Sequence, residues 1–273
     1  MGIWVVARLT FKEAARKKIL WTALLIGLGF LVLFALAEHY QSFGQRVTPV
    51  MRRQIVNAQF VVGLYSLNFL LLAMTVLTSV DTLSGEIASG TIHALATKPI
   101  RRYELLLGKW LGFVGMMTLF LTLIVSGLAG AHHWITHAQT HHLFRGMALM
   151  WLESVLLLNL TFLFGTSLST LTNGVLALGL HGVAFLGGWI EQFGMLTNSQ
   201  PVANIGVLAS IVMPSEALWR RAASEIQSPV LSATGFSPFG SGATPSAAMV
   251  GYAVCYTAVS LVLALRLFSR RDL

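Results

Sequence analysis

The segment 81–110 carries the residue types that can dock a partner. It contains a carboxylate, Glu86, followed by Gly90 and later by Pro99. Glycine lets a chain bend and proline stops a helix, so the spacing predicts a helix of one or two turns over 91–96. A short helix with an apolar face needs a groove to pack into, which favours a protein partner that binds this segment.

A second candidate is the histidine-rich segment 132–142. If it is helical, His133, His137 and His141 share one face at spacings of four residues, and imidazoles suit Zn, Cu or Ni. The segment holds no carboxylate or thiolate, so a solvated polar loop explains the same residues. Both interpretations remain open, and no metal site is assigned.

Two ionisable residues lie in otherwise apolar runs, Glu153 and His181. Charge inside a membrane is costly and often functional, so both are candidates for a substrate pathway. The alternatives are that Glu153 reaches the outer interface and that His181 is a packing histidine. Glu191 is expected at an interface, and Asn68 and Asn159 are expected to hold helices together.

The amino-acid composition indicates that these residues lie in a membrane protein. Of the 273 residues, 55% are hydrophobic and 10% are charged, whereas soluble proteins average about 25% charged residues. The net charge of +8 is carried by residues that flank apolar runs, which indicates a lipid bilayer and not nucleic acid as the partner. The single cysteine, Cys255, excludes an intramolecular disulfide.

Hydrophobic runs predict an all-α, polytopic integral membrane protein with one transmembrane domain over 1–273. The runs 19–37, 60–80, 110–131 and 247–265 are each long enough to cross a hydrocarbon core of about 30 Å. The 37 uncharged residues at 154–190 would form a helix of roughly 55 Å, too long for one crossing. The turn-forming residues 170–174 divide this stretch, which predicts spans at 147–170 and 174–191 and six in total.

Basic residues predict the orientation. With a cytoplasmic N-terminus, 12 of the 18 Lys and Arg residues fall on the cytoplasmic side, as the positive-inside rule expects. We therefore expect a multi-pass protein of the cell (inner) membrane with both termini in the cytoplasm. The segment 81–109 is then a cytoplasmic loop and 192–246 an external loop.

Two segments are expected to meet the membrane without crossing it. An N-terminal helix presents an apolar stripe bordered by basic residues, which favours a helix in the cytoplasmic interface over an extension of the first span. The stripe consists of Trp4, Ala7, Phe11 and Ala14. The apolar segment 202–213 lies between two prolines and is too short to cross, so it predicts a re-entrant or interfacial helix before the last span.

With these elements placed, residues 84–110 read SGEIASGTIHALATKPIRRYELLLGKW. This segment resembles the loop between spans two and three in permease subunits of type-2 ATP-binding-cassette (ABC-2 type) exporters. The matching residues are Glu86, Gly90, Thr91, Leu95, Pro99, Arg102, Gly108 and Lys109. The six spans, the interfacial helix and the re-entrant segment also agree, so the resemblance covers essentially the whole chain.

The resemblance implies that the loop docks into a separate cytoplasmic ATPase subunit, which binds ATP and Mg. It also implies a second six-span permease subunit, identical or related, and no cofactor in this chain. The only Gly-Lys pair, Gly108-Lys109, is followed by Trp110 and lacks the upstream glycine of a P-loop.

Three other classes of protein remain as alternatives. An intramembrane hydrolase would use Ser167 or Ser169 with His181 as a nucleophile–base pair. A secondary transporter usually shows repeated halves and more ionisable groups near the midplane. A non-transport scaffold would need only the six spans.

Overall fold

The computed structural model describes residues 2–16, 18–40, 48–88, 101–137, 140, 142–226 and 244–270. All regular structure in these ranges is helical, which confirms the all-α prediction. The helices are α1 (Gly2–Arg16), α2 (Lys18–His39), α3 (Pro49–Ala88), α4 (Arg102–Thr136), α5 (Leu143–Gly165), α6 (Thr170–Leu196), α7 (Gln200–Val212), α8 (Ser215–Ile226) and α9 (Ala247–Arg270). Six of them, α2 to α6 and α9, are long and apolar enough to cross a membrane.

The helices α3 and α5 lie at the centre of the domain. In each, 61% of the most apolar segment is buried, against 22% in α2 and α9. The central helices contribute the fully buried Leu64, Met74 and Phe162, whereas Leu33 of α2 and Leu267 of α9 are exposed. A hydrocarbon core accepts such side chains, so the outer helices are those expected to face lipid or another subunit.

Helices α3 and α4 are longer than the predicted spans. The 40 residues of α3 extend roughly 60 Å at 1.5 Å per residue, about twice the thickness of a hydrocarbon core. The segment 81–109 is therefore not a loop at its ends, since α3 continues to Ala88 and α4 begins at Arg102. At that start, the Arg101 backbone N–H donates to the Glu104 carboxylate at 3.2 Å.

The turn between α5 and α6 lies at 166–169, four residues before the predicted break at 170–174. The residues that suggested a turn form the first turn of α6 instead. Ser169 caps this helix by accepting from the Thr172 backbone N–H at 3.4 Å. Asn173 donates to the backbone carbonyls of Val80 and Thr161, so its polar side chain joins α6 to α3 and α5.

The predicted external loop 192–246 contains two helices, α7 and α8, which meet at a bend of 103°. Pro201 lies in the first turn of α7, where its missing N–H is tolerated, and Pro214 stands between the two helices. Glycines bring α7 against α6: a Cβ on Gly194 would lie 2.8 Å from the Cα of Ala203. Helix α7 coincides with the apolar segment 202–213, and α8 is a second helix, at 215–226, that was not predicted. A re-entrant or interfacial position for α7 stays a prediction.

Helix α1 packs along α4. Its buried face contains Val6, Ala7, Thr10 and Ala14, whereas Trp4 is 75% exposed. The predicted helix is present, and its interfacial position stays a prediction. Of the predicted stripe, Ala7 and Ala14 lie on the face buried against α4, whereas Trp4 and Phe11 are exposed. Small residues face α4 because Gly108 and Gly112 let the two backbones approach, as in other small-residue helix contacts in membranes.

Replacing Gly112 tests this contact. A Cβ there would lie 2.8 Å from the Cβ of Thr10 and 2.9 Å from the carbonyl oxygen of Ala7. We expect Gly112→Ala to lower the free energy of unfolding, measured in detergent micelles, by about 1–3 kcal/mol. In the control Gly115→Ala, the nearest atom is 3.8 Å away, so helix propensity should leave stability equal or up to about 1 kcal/mol higher. Equal stabilities of the two variants would contradict the close contact.

Candidate functional site

The end of α3 and the start of α4 are joined by an ion pair between Glu86 and Lys109. The Lys109 side chain is only 6% exposed and that of Glu86 is 22% exposed, so the pair is largely shielded from water. Both residues belong to the pattern that resembles a coupling loop. The pair joins α3 and α4, the two helices that precede and follow residues 89–101 in the chain.

Of the other residues predicted to dock a partner, Arg102 is exposed at the first turn of α4. Gly90, Thr91, Leu95 and Pro99 lie outside the described residues, as does the predicted helix 91–96. The described part of the chain therefore shows only the two ends of this segment, the end of α3 up to Ala88 and the start of α4 from Arg102, and we call these two helix ends its base.

A cavity of about 260 Å³ lies beside the Glu86–Lys109 pair. Three helices form its walls: α1 contributes Thr10, Glu13 and Ala14, α3 contributes Asp81, Thr82, Gly85 and Glu86, and α4 contributes Lys109 and Phe113. The carboxylate of Asp81 also accepts from the Thr170 hydroxyl at 3.1 Å. The start of α6 is thus tied to the same region.

Glu153 is fully buried near the middle of α5, about ten residues or roughly 15 Å from the start of the helix. It does not reach the interface. Its carboxylate accepts from the Asn68 side-chain amide of α3 at 3.0 Å. Of the two sequence interpretations, the structure supports a pairing contact, and a role in a substrate pathway stays a prediction.

Two polar contacts tie α8 to α6. Arg220 donates to the Glu191 carboxylate at 2.6 Å, and Nδ1 of His181 lies 3.0 Å from the Ser215 hydroxyl. The side chains of Glu191 and Arg220 are 11% and 7% exposed, so Glu191 is not simply interfacial as expected. Nothing in the sequence places Arg220 inside the domain, because this residue lies in a stretch interpreted as an external loop.

The predicted nucleophile–base pair is not formed. His181 contacts Ser215 and not Ser167 or Ser169, and Ser169 is the N-cap of α6. Ser215 is itself fully buried, and among the described residues no carboxylate bonds to His181. This geometry does not favour hydrolysis.

The histidines near residue 136 are separated by the end of α4. His137 adopts a left-handed conformation with φ of 53° and terminates α4, so this helix carries only His133 of the three candidate ligands. His141 lies outside the described residues. His132 is buried instead, with Nδ1 2.6 Å from the Glu38 carboxylate of α2 and its ring stacked on Phe60. Sequence reasoning missed this pair.

Asn159 acts as expected of a residue that holds helices together. Its carbonyl accepts from the Trp110 indole N–H of α4 at 2.6 Å, and its amide donates to the Thr257 backbone carbonyl of α9 at 2.8 Å. One side chain of α5 thus links three spans.

Six candidate spans, a helix packed along α4 and a helix pair with a bend of 103° define a polytopic α-helical membrane domain. The family model of the ABC-2 family transporter protein matches residues 4–273. The chain therefore belongs to the ABC-2 transporter family and is a permease component of an ABC transporter. A comparison with curated proteins found no match.

The Glu191–Arg220 pair predicts a strong asymmetry between single and double replacements. Arg220→Met leaves a buried carboxylate without its partner, so we expect the free energy of unfolding in micelles to fall by about 3–5 kcal/mol. Adding Glu191→Met should recover most of this loss, because the carboxylate that lost its hydrogen-bonded partner is then removed as well. In the control Arg221→Met, whose side chain is 31% exposed, the loss should stay below about 1 kcal/mol. A double variant less stable than Arg220→Met would contradict this assignment.

Proposed function

We propose that this chain is the membrane-spanning subunit of an ATP-driven exporter. It works with a separate cytoplasmic ATPase subunit, which binds ATP and Mg, and with a second six-span permease subunit, identical or related. Family membership supports transport as the activity. The observation that carries the coupling role is the Glu86–Lys109 pair, because it fixes the base of the segment that resembles an ATPase-docking loop.

The coupling residues in this proposal are Glu86, Gly90, Thr91, Leu95, Pro99 and Arg102. Closure of the ATPase subunits pushes the segment between α3 and α4, and a rigid base passes this displacement to the two helices. Helix α1 moves with them, since it packs on α4 at Gly108 and Gly112. Glu153 and His181 lie further along the membrane-spanning helices and are the candidates for the substrate pathway.

The proposed orientation places both termini and the 89–101 segment in the cytoplasm of a cell with this protein in its inner membrane. The basic residues of α1 and of the end of α9 then lie on the cytoplasmic side, as the positive-inside rule expects. The α7–α8 pair lies on the opposite side.

Coupling is tested by co-purification with a cytoplasmic ATPase subunit and by ATP hydrolysis of the complex. We expect Glu86→Gln and Lys109→Met each to lower coupled ATP hydrolysis by about tenfold or more, because each removes one charge of a largely shielded ion pair. The exchange Glu86→Lys with Lys109→Glu should restore part of the activity.

The matched control is Glu13→Gln, which removes an exposed carboxylate from the same cavity and should leave hydrolysis within about twofold. The proposal fails if no ATPase associates in mild detergent. It also fails if replacing Glu86 together with Gly90 and Thr91 leaves assembly and coupled hydrolysis intact.

Orientation is tested by cysteine labelling in a Cys255→Ala background, since Cys255 is the chain's single cysteine. Arg145 and Arg8 are both exposed, at the outer start of α5 and on α1. With a membrane-impermeant maleimide on intact cells, we expect labelling of Arg145→Cys and none of Arg8→Cys until the cells are broken. The reverse pattern would overturn the orientation.

A further inference from the structure

Helix α1 carries three exposed basic side chains, Arg8, Lys12 and Arg16, which we call the basic stripe. The three residues are spaced four apart, so they lie on one face of the helix. At 3.6 residues per turn, this face is opposite to the one that α1 buries. None of the ion pairs formed among the described residues involves the basic stripe. The stripe therefore presents its positive charges away from the protein.

Helix α1 does not neutralise this charge itself. Its single carboxylate, Glu13, lines the cavity beside the Glu86–Lys109 pair. Lys18, the first residue of α2, is a further exposed basic residue and adds to the positive charge at the end of α1. A surface of this composition is complementary to a negatively charged partner.

Exposed apolar side chains surround the basic stripe. They are between 37% and 75% exposed and consist of Trp4, Val5, Leu9 and Phe11. A helix with basic residues beside exposed Trp, Phe and Leu is typical of segments that lie at the boundary between lipid headgroups and acyl chains. A partner that offers only charge leaves these apolar side chains in water, whereas a lipid surface accepts both kinds of side chain.

The junction of α1 with α2 places the basic stripe next to the bilayer. Helix α1 ends at Arg16, and the first candidate span begins at Leu20. Four residues extend at most about 14 Å, so Arg16 lies within this distance of an apolar span. The indole N–H of Trp21 donates to the Ala15 carbonyl at 3.0 Å, which ties the end of α1 to the start of that span. Lipid headgroups are therefore within reach of the stripe.

We propose that the exposed face of α1 binds anionic phospholipid, with the basic stripe in contact with the lipid phosphates and the surrounding apolar side chains directed at the acyl chains. Zwitterionic phospholipids also carry a phosphate, but their ammonium group cancels its charge, so the stripe favours a headgroup with net negative charge. Lipid then holds one face of α1, while the opposite face packs on α4. This inference concerns the lipid contact of α1 and does not depend on coupling to an ATPase.

The probe is a phospholipid with brominated acyl chains, which quenches a fluorophore that it contacts. A bimane is attached to Leu9→Cys in a Cys255→Ala background, since Leu9 is exposed beside the stripe and Cys255 is the chain's single cysteine. The full chain is reconstituted into vesicles in which brominated phosphatidylglycerol or brominated phosphatidylcholine replaces a rising share of unbrominated phosphatidylcholine. The two quenching curves give the affinity of the anionic lipid relative to that of the zwitterionic lipid at α1.

We expect phosphatidylglycerol to be favoured at this position by about fivefold or more. Replacing Arg8, Lys12 and Arg16 together by Gln should bring the two affinities within about twofold of each other, because it removes the charges that meet the phosphates. Arg8→Lys with Arg16→Lys keeps these charges and should keep the preference. Raising the salt concentration from about 0.1 M to about 1 M should lower the preference, since the contact lies at the protein surface.

Two controls separate the basic stripe from general lipid contact. A bimane on Leu33→Cys, an exposed position within the α2 span, should be quenched about equally by the two lipids. Arg266→Gln with Arg270→Gln removes two exposed basic residues near the end of α9 and should leave the preference at Leu9→Cys unchanged within about twofold. Thermal unfolding of each variant in micelles shows which ones are folded.

Equal quenching by the two lipids at Leu9→Cys overturns the inference. A preference that survives the triple replacement by Gln also overturns it, because the stripe is then not its source. Absence of quenching by both lipids overturns it as well, and protection of the same cysteine by a bound ATPase subunit then assigns this face to a protein partner. Co-purification with an ATPase is measured separately, so equal quenching in an assembled complex removes the lipid site and leaves the proposed function standing.

Discussion

Polar side chains inside a bilayer must find their partners within the protein, because the hydrocarbon core offers no water. In the described part of this chain, four buried or largely shielded pairs meet this requirement, and each joins two different helices. The pairs are Glu86–Lys109, Glu38–His132, Glu191–Arg220 and Asn68–Glu153. These pairs determine which helices are neighbours. Apolar side chains alone do not determine this, because lipid tails solvate an apolar helix surface as well as another helix does.

Close backbone packing supplies the second constraint. Glycines on α4 admit α1, and glycines on α6 admit α7, in both cases at distances that a Cβ would not permit. Dispersion contacts between approaching backbones stabilise helix pairs where the hydrophobic effect is weak. These contacts attach two non-spanning helices, α1 and α7, to the spans α4 and α6.

Helix α3 connects the two regions to which we assign function. Glu86 lies near the end of α3 and Asn68 lies 18 residues earlier, roughly 27 Å away along one continuous helix. In the proposed function, this rigid helix carries a displacement from its ATPase-facing end to Asn68 and to Glu153, to which Asn68 donates a hydrogen bond.

The sequence by itself determined the class of fold, the six spans and two of the three non-spanning helices, α1 and α7, because a bilayer accepts only apolar segments of sufficient length as spans. It also identified 81–110 as a candidate docking segment, through residues that bend the chain, end a short helix and carry charge. Tertiary structure alone decided which residues are partners. Residues 170–174 form the first turn of α6 and bond to α3 and α5, Arg220 pairs with Glu191 inside the domain, and His132 pairs with Glu38. A polar residue in an apolar run indicates that it needs a hydrogen-bonding partner. Which residue is that partner depends on how helices distant in the sequence pack together.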